Sequence, residues 1–253
     1  MARAIFKSWF VDFGPVRAKA EGRQLFGIDA ATSALFPDSF EDSRFGRIPK
    51  GWGVGVLRDS CERIENGGTP KRSEASFWHP ATIQWLTSGE VRRSIVVSTA
   101  QSISQEGYQA SNARLWPKGT TVVALYGATA GQVCLLAEKM CANQACCGLI
   151  SRADTKYFNF LWVSSSADEL RRSARGSAQQ NISQGIVASL PILIPDASTR
   201  RCFDELMQPI FDKAILNVSE CDLLAKIRDT LLPKLISGEI RVKDAQQMAE
   251  AKL

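Results

Sequence analysis

The stretch from Ala197 to Ile236 constrains this chain more than any other, because apolar residues recur along it at the spacing of one helical face. Phe203, Leu206, Ile210, Phe211, Ala214, Ile215, Val218, Cys221, Leu224, Ile227, Leu231, Leu232 and Leu235 make up the series. At about 1.5 Å per residue the stretch predicts a rod of roughly 60 Å. A rod of that length cannot lay its whole stripe on its own globular body, so part of the stripe is expected to meet another helix. Pro209 and Pro233 mark the places where it would bend. Asp196 or Ser198 is placed to cap its start.

What precedes the rod has enough apolar material for a core of its own, with 45% hydrophobic residues in a chain of 253. No apolar run approaches the ~18 residues of a membrane span, and no leader pattern opens the sequence. The expectation is a soluble, cytoplasmic protein with no membrane partner. The seven cysteines (Cys61, Cys134, Cys141, Cys146, Cys147, Cys202, Cys221) form no CxxC pair, and His79 is the single histidine. Buried, reduced thiols are therefore expected, and no metal site.

Motifs for catalysis are missing in an informative way. Gly127-Ala128-Thr129-Ala130-Gly131 has neither the Gly-Lys-Ser/Thr ending of a phosphate loop nor the glycine order of a dinucleotide site, and reads as a tight turn between strands. No GxSxG occurs, and one histidine leaves a Ser-His-Asp triad little to draw on. No cofactor and no catalytic residue are expected.

Charge becomes informative once located along the chain. Residues 1–45 hold six basic and six acidic residues, residues 197–253 nine of each, and residues 46–196 sixteen basic against eleven acidic. The whole excess of +5 therefore falls on the middle segment, as expected of a domain that meets a polyanion.

In chain order, Ile5, Phe6, Trp9, Phe10 and Phe13 predict a short N-terminal helix without a cap, stopped at Gly14-Pro15. A polar connector follows over Gly22 to Arg47. Val16-Arg17-Ala18-Lys19 echoes Ile240-Arg241-Val242-Lys243, which suggests that the chain starts on the tail of a preceding copy. Short strands are predicted at Val54 to Leu57, Ile83 to Leu86, Ile95 to Val97, Thr120 to Tyr126, Gln132 to Leu136 and Cys146 to Ile150. Helices are predicted at about Lys156 to Ser164 and Ala167 to Ala174, then a last extended piece at Pro191 to Pro195. The fold class is α+β with a mainly antiparallel twisted sheet, a long C-terminal helix and a short N-terminal one.

Four loops combine small residues with cations or amides. They are Gly67 to Arg72, with Thr69, Lys71 and Arg72; Ser88 to Arg93, with Arg92 and Arg93; Tyr126 to Thr129; and Arg175 to Asn181, with Gln179 and Gln180. Glycine lets a backbone approach phosphate, arginine can fork onto guanine, and glutamine or asparagine can bond adenine in two places. Those residues (Thr69, Lys71, Arg72, Arg92, Arg93, Tyr126, Arg175, Gln179, Gln180 and Asn181) are the candidate DNA contacts, provided the loops converge on one face.

Several short stretches, in this order, carry a family resemblance: Ala4 to Phe13, Leu35 to Phe40, Ile48-Pro49-Lys50-Gly51-Trp52, Gly67-Gly68-Thr69-Pro70, Leu115 to Thr120, Asn143-Gln144, and Leu231 to Ile240. With them the chain resembles the DNA-specificity subunit of type I restriction-modification enzymes. The resemblance implies two target-recognition domains in an intact subunit, each reading half of a bipartite site, separated by two long antiparallel helices that dock methyltransferase subunits. Carried over, residues 1–45 resemble a remnant of the central helix and connector, 46–196 one recognition domain, 197–236 the conserved spacer helix and 237–253 a polar tail. The first domain and most of the first helix have no counterpart, so the chain looks like a half subunit.

The implied function is non-catalytic recognition of double-stranded DNA on behalf of methyltransferase and restriction subunits. The alternative is a truncated assembly protein that binds methyltransferase subunits without reading DNA. With the partner helix missing, a homodimer through Ile210, Ala214, Cys221, Leu224, Leu231 and Leu235 is expected, with Asn217 and Arg228 beside the stripe to fix register.

Overall fold

A computed structural model describes residues 1–23, 27–175 and 181–244, the side chains of 174 and 175 excepted. The N-terminal region holds helices α1 (Ala2–Phe10), α2 (Gly14–Ala20) and α3 (Ala30–Ala34), then a hairpin of β1 (Phe40–Ser43) and β2 (Gly46–Pro49). The body follows with β3 (Gly53–Val56), β4 (Cys61–Asn66), β5 (Ile83–Leu86), β6 (Ile95–Val96), β7 (Gln101–Ile103) and α4 (Gln105–Gln109). It continues with β8 (Thr121–Ala124), β9 (Val133–Leu136), β10 (Cys141–Ala142), β11 (Cys146–Ser151), α5 (Lys156–Ser165), α6 (Ala167–Arg175), α7 (Gln184–Ala188) and β12 (Pro191–Ile194). Helix α8 (Ala197–Ile236) carries the long apolar series.

The central sheet has the order β4-β11-β8-β9-β6 and is antiparallel except that β6 runs parallel to β9. A second sheet, β10-β5-β7, mixes one parallel and one antiparallel pairing, and β12 pairs antiparallel with β3. β8 and the apolar core of β11 are buried throughout, which is why they read as apolar runs rather than as alternating strands. Gly148 in β11 makes room for the fully buried Trp116: a Cβ there would stand 2.5 Å from the indole.

The N-terminal region departs from the sequence reading at two places: the stretch read as a polar connector, Gly22 to Arg47, holds α3, β1 and the start of β2, and the predicted helix stop is a helix start. Gly14-Pro15 does not stop a helix; α1 has ended at Phe10, Phe13 takes a left-handed φ of 53°, and Gly14-Pro15 opens α2. Proline suits a first helical turn because the N–H it lacks would have no partner there. Phe6, Trp9 and Phe10, spaced on one face of α1, enter an aromatic cluster. Phe10 meets Phe158 of α5 and Phe203 of α8 at 4.9 Å each, and Trp9 meets Phe36 edge-on at 4.9 Å.

The chain divides into two compact units, Met1–Ile210 and Phe211–Leu253. The first includes the start of α8, where Asp196 caps by accepting from the Thr199 N–H (2.9 Å) and Phe203 and Met207 are fully buried. In the second, Leu216, Leu223, Leu224, Leu232 and Ile236 are exposed. Of the predicted stripe, Cys221 and Leu224 are exposed, while Ile210, Ala214, Leu231 and Leu235 are half-buried. No helix among the described residues is long and apolar enough to cross a membrane.

Candidate nucleic-acid interface

Register fixes where the four loops emerge. Cys147 pairs with Asn66 and Cys146 with Ala124, so the end of β4, the end of β8 and the start of β11 lie together. The first leads into Gly67–Arg72, the second into Tyr126–Thr129, and the third follows Asn143-Gln144. Val133 pairs with Val123, so β9 starts at the same end. Because β6 runs parallel to β9, with Ile95 opposite Leu135, Arg92 and Arg93 enter there too. The Asn143 N–H bonds the Leu86 carbonyl (2.9 Å), which brings the Ser88–Gly89 turn alongside. The Ile182 N–H bonds the Leu125 carbonyl (2.9 Å), which sets Asn181 beside the Tyr126 loop.

One end of the sheet therefore gathers Thr69, Lys71, Arg72, Arg92, Arg93, Tyr126 and Asn181. The side chain of Arg175, together with Gln179 and Gln180, lies outside the described residues. The Thr69 hydroxyl is hydrogen-bonded to the Gln144 amide oxygen, an acceptor supplied by the loop before β11. Tyr126 is 38% exposed, so its ring is accessible at this end. Lys71 is matched by Glu74 at 2.8 Å, whereas Arg72 has no carboxylate partner among the described residues.

Arg72 is held in another way. Its guanidinium lies 3.9 Å from the ring centre of Trp78 and 4.8 Å from that of Trp85, and its Nη1 donates to the Gln101 Oε1 at 2.9 Å. Gly67 and Gly68 let this loop press against its neighbours, since a Cβ would come within 2.3 Å of the Ala142 carbonyl or 2.4 Å of Asn112. Trp78 and Gln101 escaped the sequence reading, and Gln144 entered it only through the family resemblance. Trp78 and Gln101 stand in no glycine-rich loop, and only the fold brings them to Arg72.

Burial pushes the Cys61 thiol up to about 11 and the Cys141 and Cys147 thiols up to about 12, so they stay protonated and poorly nucleophilic. Among the described residues no three His, Cys, Asp or Glu side chains are grouped to hold a metal.

Comparison with known proteins gives the same direction. The family model described as "Type I restriction modification DNA specificity domain" matches residues 49–217. The type I restriction enzyme HindI specificity subunit of Haemophilus influenzae is 26% identical over 95% of this chain and 61% of its own length. The MjaIX specificity subunit of Methanocaldococcus jannaschii is 24% identical over 96% of this chain and 53% of its own. The chain thus spans little more than half the length of these curated relatives. The solved type I restriction-modification S subunit from M. genitalium shares the fold, with a TM-score of 0.56 and 13% identity over 92% of this chain and 56% of that one.

Proposed function

This chain belongs to the type I restriction-modification DNA specificity family, and from that premise we propose that it reads one half-site of a bipartite duplex target and directs catalytic subunits to it. Residues 46–196 are the recognition domain and 197–236 the spacer helix. Base and phosphate contacts come from the loop end of the central sheet, through Thr69, Lys71, Arg72, Arg92, Arg93, Tyr126, Arg175, Gln179, Gln180 and Asn181. Methyl transfer and cleavage belong to methyltransferase and restriction subunits docked on the chain, and two copies pair through α8.

The observation that carries this reading is the convergence of loops that lie far apart in sequence onto one end of one sheet. A solvated turn needs no such company, whereas a surface that must touch several base pairs does. Duplex binding by the full chain should weaken with salt along a log–log slope of about −0.9 per phosphate neutralised, and should favour one sequence over random DNA. Fluorescence anisotropy on labelled duplexes at several salt concentrations measures both. Binding that ignores sequence and salt refutes the reading and leaves a protein-assembly role.

A further inference from the structure

Most exposed arginines are free to sweep through many rotamers. Arg72 is not, although its side chain is exposed. The two rings that border its guanidinium, at 3.9 and 4.8 Å, also hold the loop that carries it. The Trp85 Nε1–H donates to the Gly68 carbonyl at 3.0 Å, and the Trp78 Nε1–H to the Lys71 carbonyl at 3.2 Å. The rings themselves cross at 89° with centres 5.3 Å apart, and Trp85 is fully buried. The same pair of indoles therefore holds both the loop backbone and the position of the guanidinium, with Gln101 setting the direction of one N–H.

A guanidinium has five N–H donors in a planar fork. One serves Gln101; stacking on the rings consumes none. No carboxylate among the described residues neutralises it, so its remaining donors stand open on an exposed residue, available to a ligand that supplies acceptors. A phosphate can also take an arginine fork, but every sequence offers one, so a fixed fork gains sequence selectivity only at a base. A base edge is flat and discriminates by angle, so it rewards a fork locked in one plane. Of the four bases only guanine offers two acceptors, O6 and N7, on one major-groove edge at the spacing of that fork.

Resting on the DNA-reading function proposed above, we infer that Arg72 is the residue that reads a guanine in the half-site, and that Trp78 and Trp85 are positioning residues that hold its fork in the reading plane. The rings act before DNA arrives: ordering a long side chain ahead of binding removes an entropy cost that a free arginine meets on contact.

The test is selection of bound duplexes from a randomised half-site library by the full chain, alone and together with the methyltransferase subunit of its own system, followed by sequencing. Wild type should enrich a motif with an invariant guanine. Arg72→Lys keeps the charge and loses the fork, and should lose roughly ten- to hundredfold discrimination at that single position while the other positions stand. Trp78→Leu should relax the same position, and Trp78→Phe, which keeps a stacking face, should retain it. Unchanged melting temperatures for the Lys and Phe variants separate this from loss of fold. A motif that survives in Arg72→Lys overturns the inference, and so does uniform weakening of all sequences, which marks a phosphate contact. If wild type with its partner subunit enriches no motif, the DNA-reading function itself falls, and the assignment of Arg72 with it.

Discussion

Asp204 gives the most quantitative handle on how the long helix is joined to the recognition body. Its carboxylate, 7% exposed on the first turns of α8, accepts from the backbone N–H groups of Tyr157 and Phe158 at 3.0 Å each and so caps α5. Burial raises its pKa from 3.8 to about 6, and the backbone bonds and the Lys156 charge only partly oppose this. A gap of about two units corresponds to about 3 kcal/mol. Because the folded-state value is the raised one, this stability is fully present below pH 3.8 and is lost as pH climbs through about 6. Asp204→Asn keeps one acceptor for both N–H groups and cannot titrate. Urea unfolding of wild type and variant from pH 4 to pH 7 isolates the effect, since every other titrating group is common to both. The wild type should lose about 2 kcal/mol relative to the variant across that range, most of it between pH 4 and 6. A difference that stays flat with pH refutes the argument, because it would mean that water reaches the carboxyl and that burial does not set its charge.

Two further outcomes follow from packing. Leu224→Glu combined with Leu232→Glu, at two exposed positions of the second unit, should convert a dimer into single chains by light scattering at micromolar concentration, since each leucine buried between helices contributes roughly 1.5–3 kcal/mol; a wild-type mass of one chain at every concentration sinks the proposed pairing. Gly148→Val forces a side chain into the Trp116 indole and should cost about 3 kcal/mol in chemical denaturation, while Gly89→Ala, with its nearest neighbour 3.9 Å away, should stay within about 0.5 kcal/mol; equal stabilities for the two variants would contradict the tight approach.

The elements with a strong period were legible in the sequence. Ala197–Ile236, Ile83–Leu86 and Cys146–Ser151 stand where their patterns put them, because burial on one stripe or on both faces leaves a mark that a window of residues contains. The elements that were missed carry no such mark. β4 is Cys-Glu-Arg-Ile-Glu-Asn, a polar strand held by its partner β11 rather than by its own apolar content, and β1 is Phe-Glu-Asp-Ser, an exposed hairpin arm. Short helices such as α4 and α7 follow single-residue caps, Ser104 and Ser183, that many loops also contain. For the candidate site, the loops were visible one at a time from glycine and cation content. Their convergence was not, since it depends on strand order: β4 and β11 are neighbours although about eighty residues separate them.

Cations alone do not single out one end of the sheet, because the opposite end is basic as well. There Lys118, Arg152 and Lys156 border one cleft, and Lys156 and Arg201 border a second of about 480 Å³ together with Asp154, Asp204 and Glu205. Two of its cations are engaged within the chain: Lys156 donates to Gln208 at 3.0 Å and lies over the Tyr157 ring, and Arg200 pairs with Asp154 at 3.3 Å. Those contacts suit joining α5 to α8. At the loop end the half-buried Glu90 carboxylate accepts from the N–H groups of Thr87 and Ala100, Lys71 pairs with Glu74, and Arg72 lies against two indoles. Reading a duplex requires donors and acceptors left over after folding, fixed in direction and facing water. What favours the loop end is thus not net charge but Arg72, a fork placed by two indoles with one donor spent on Gln101, at the end where loops distant in sequence meet.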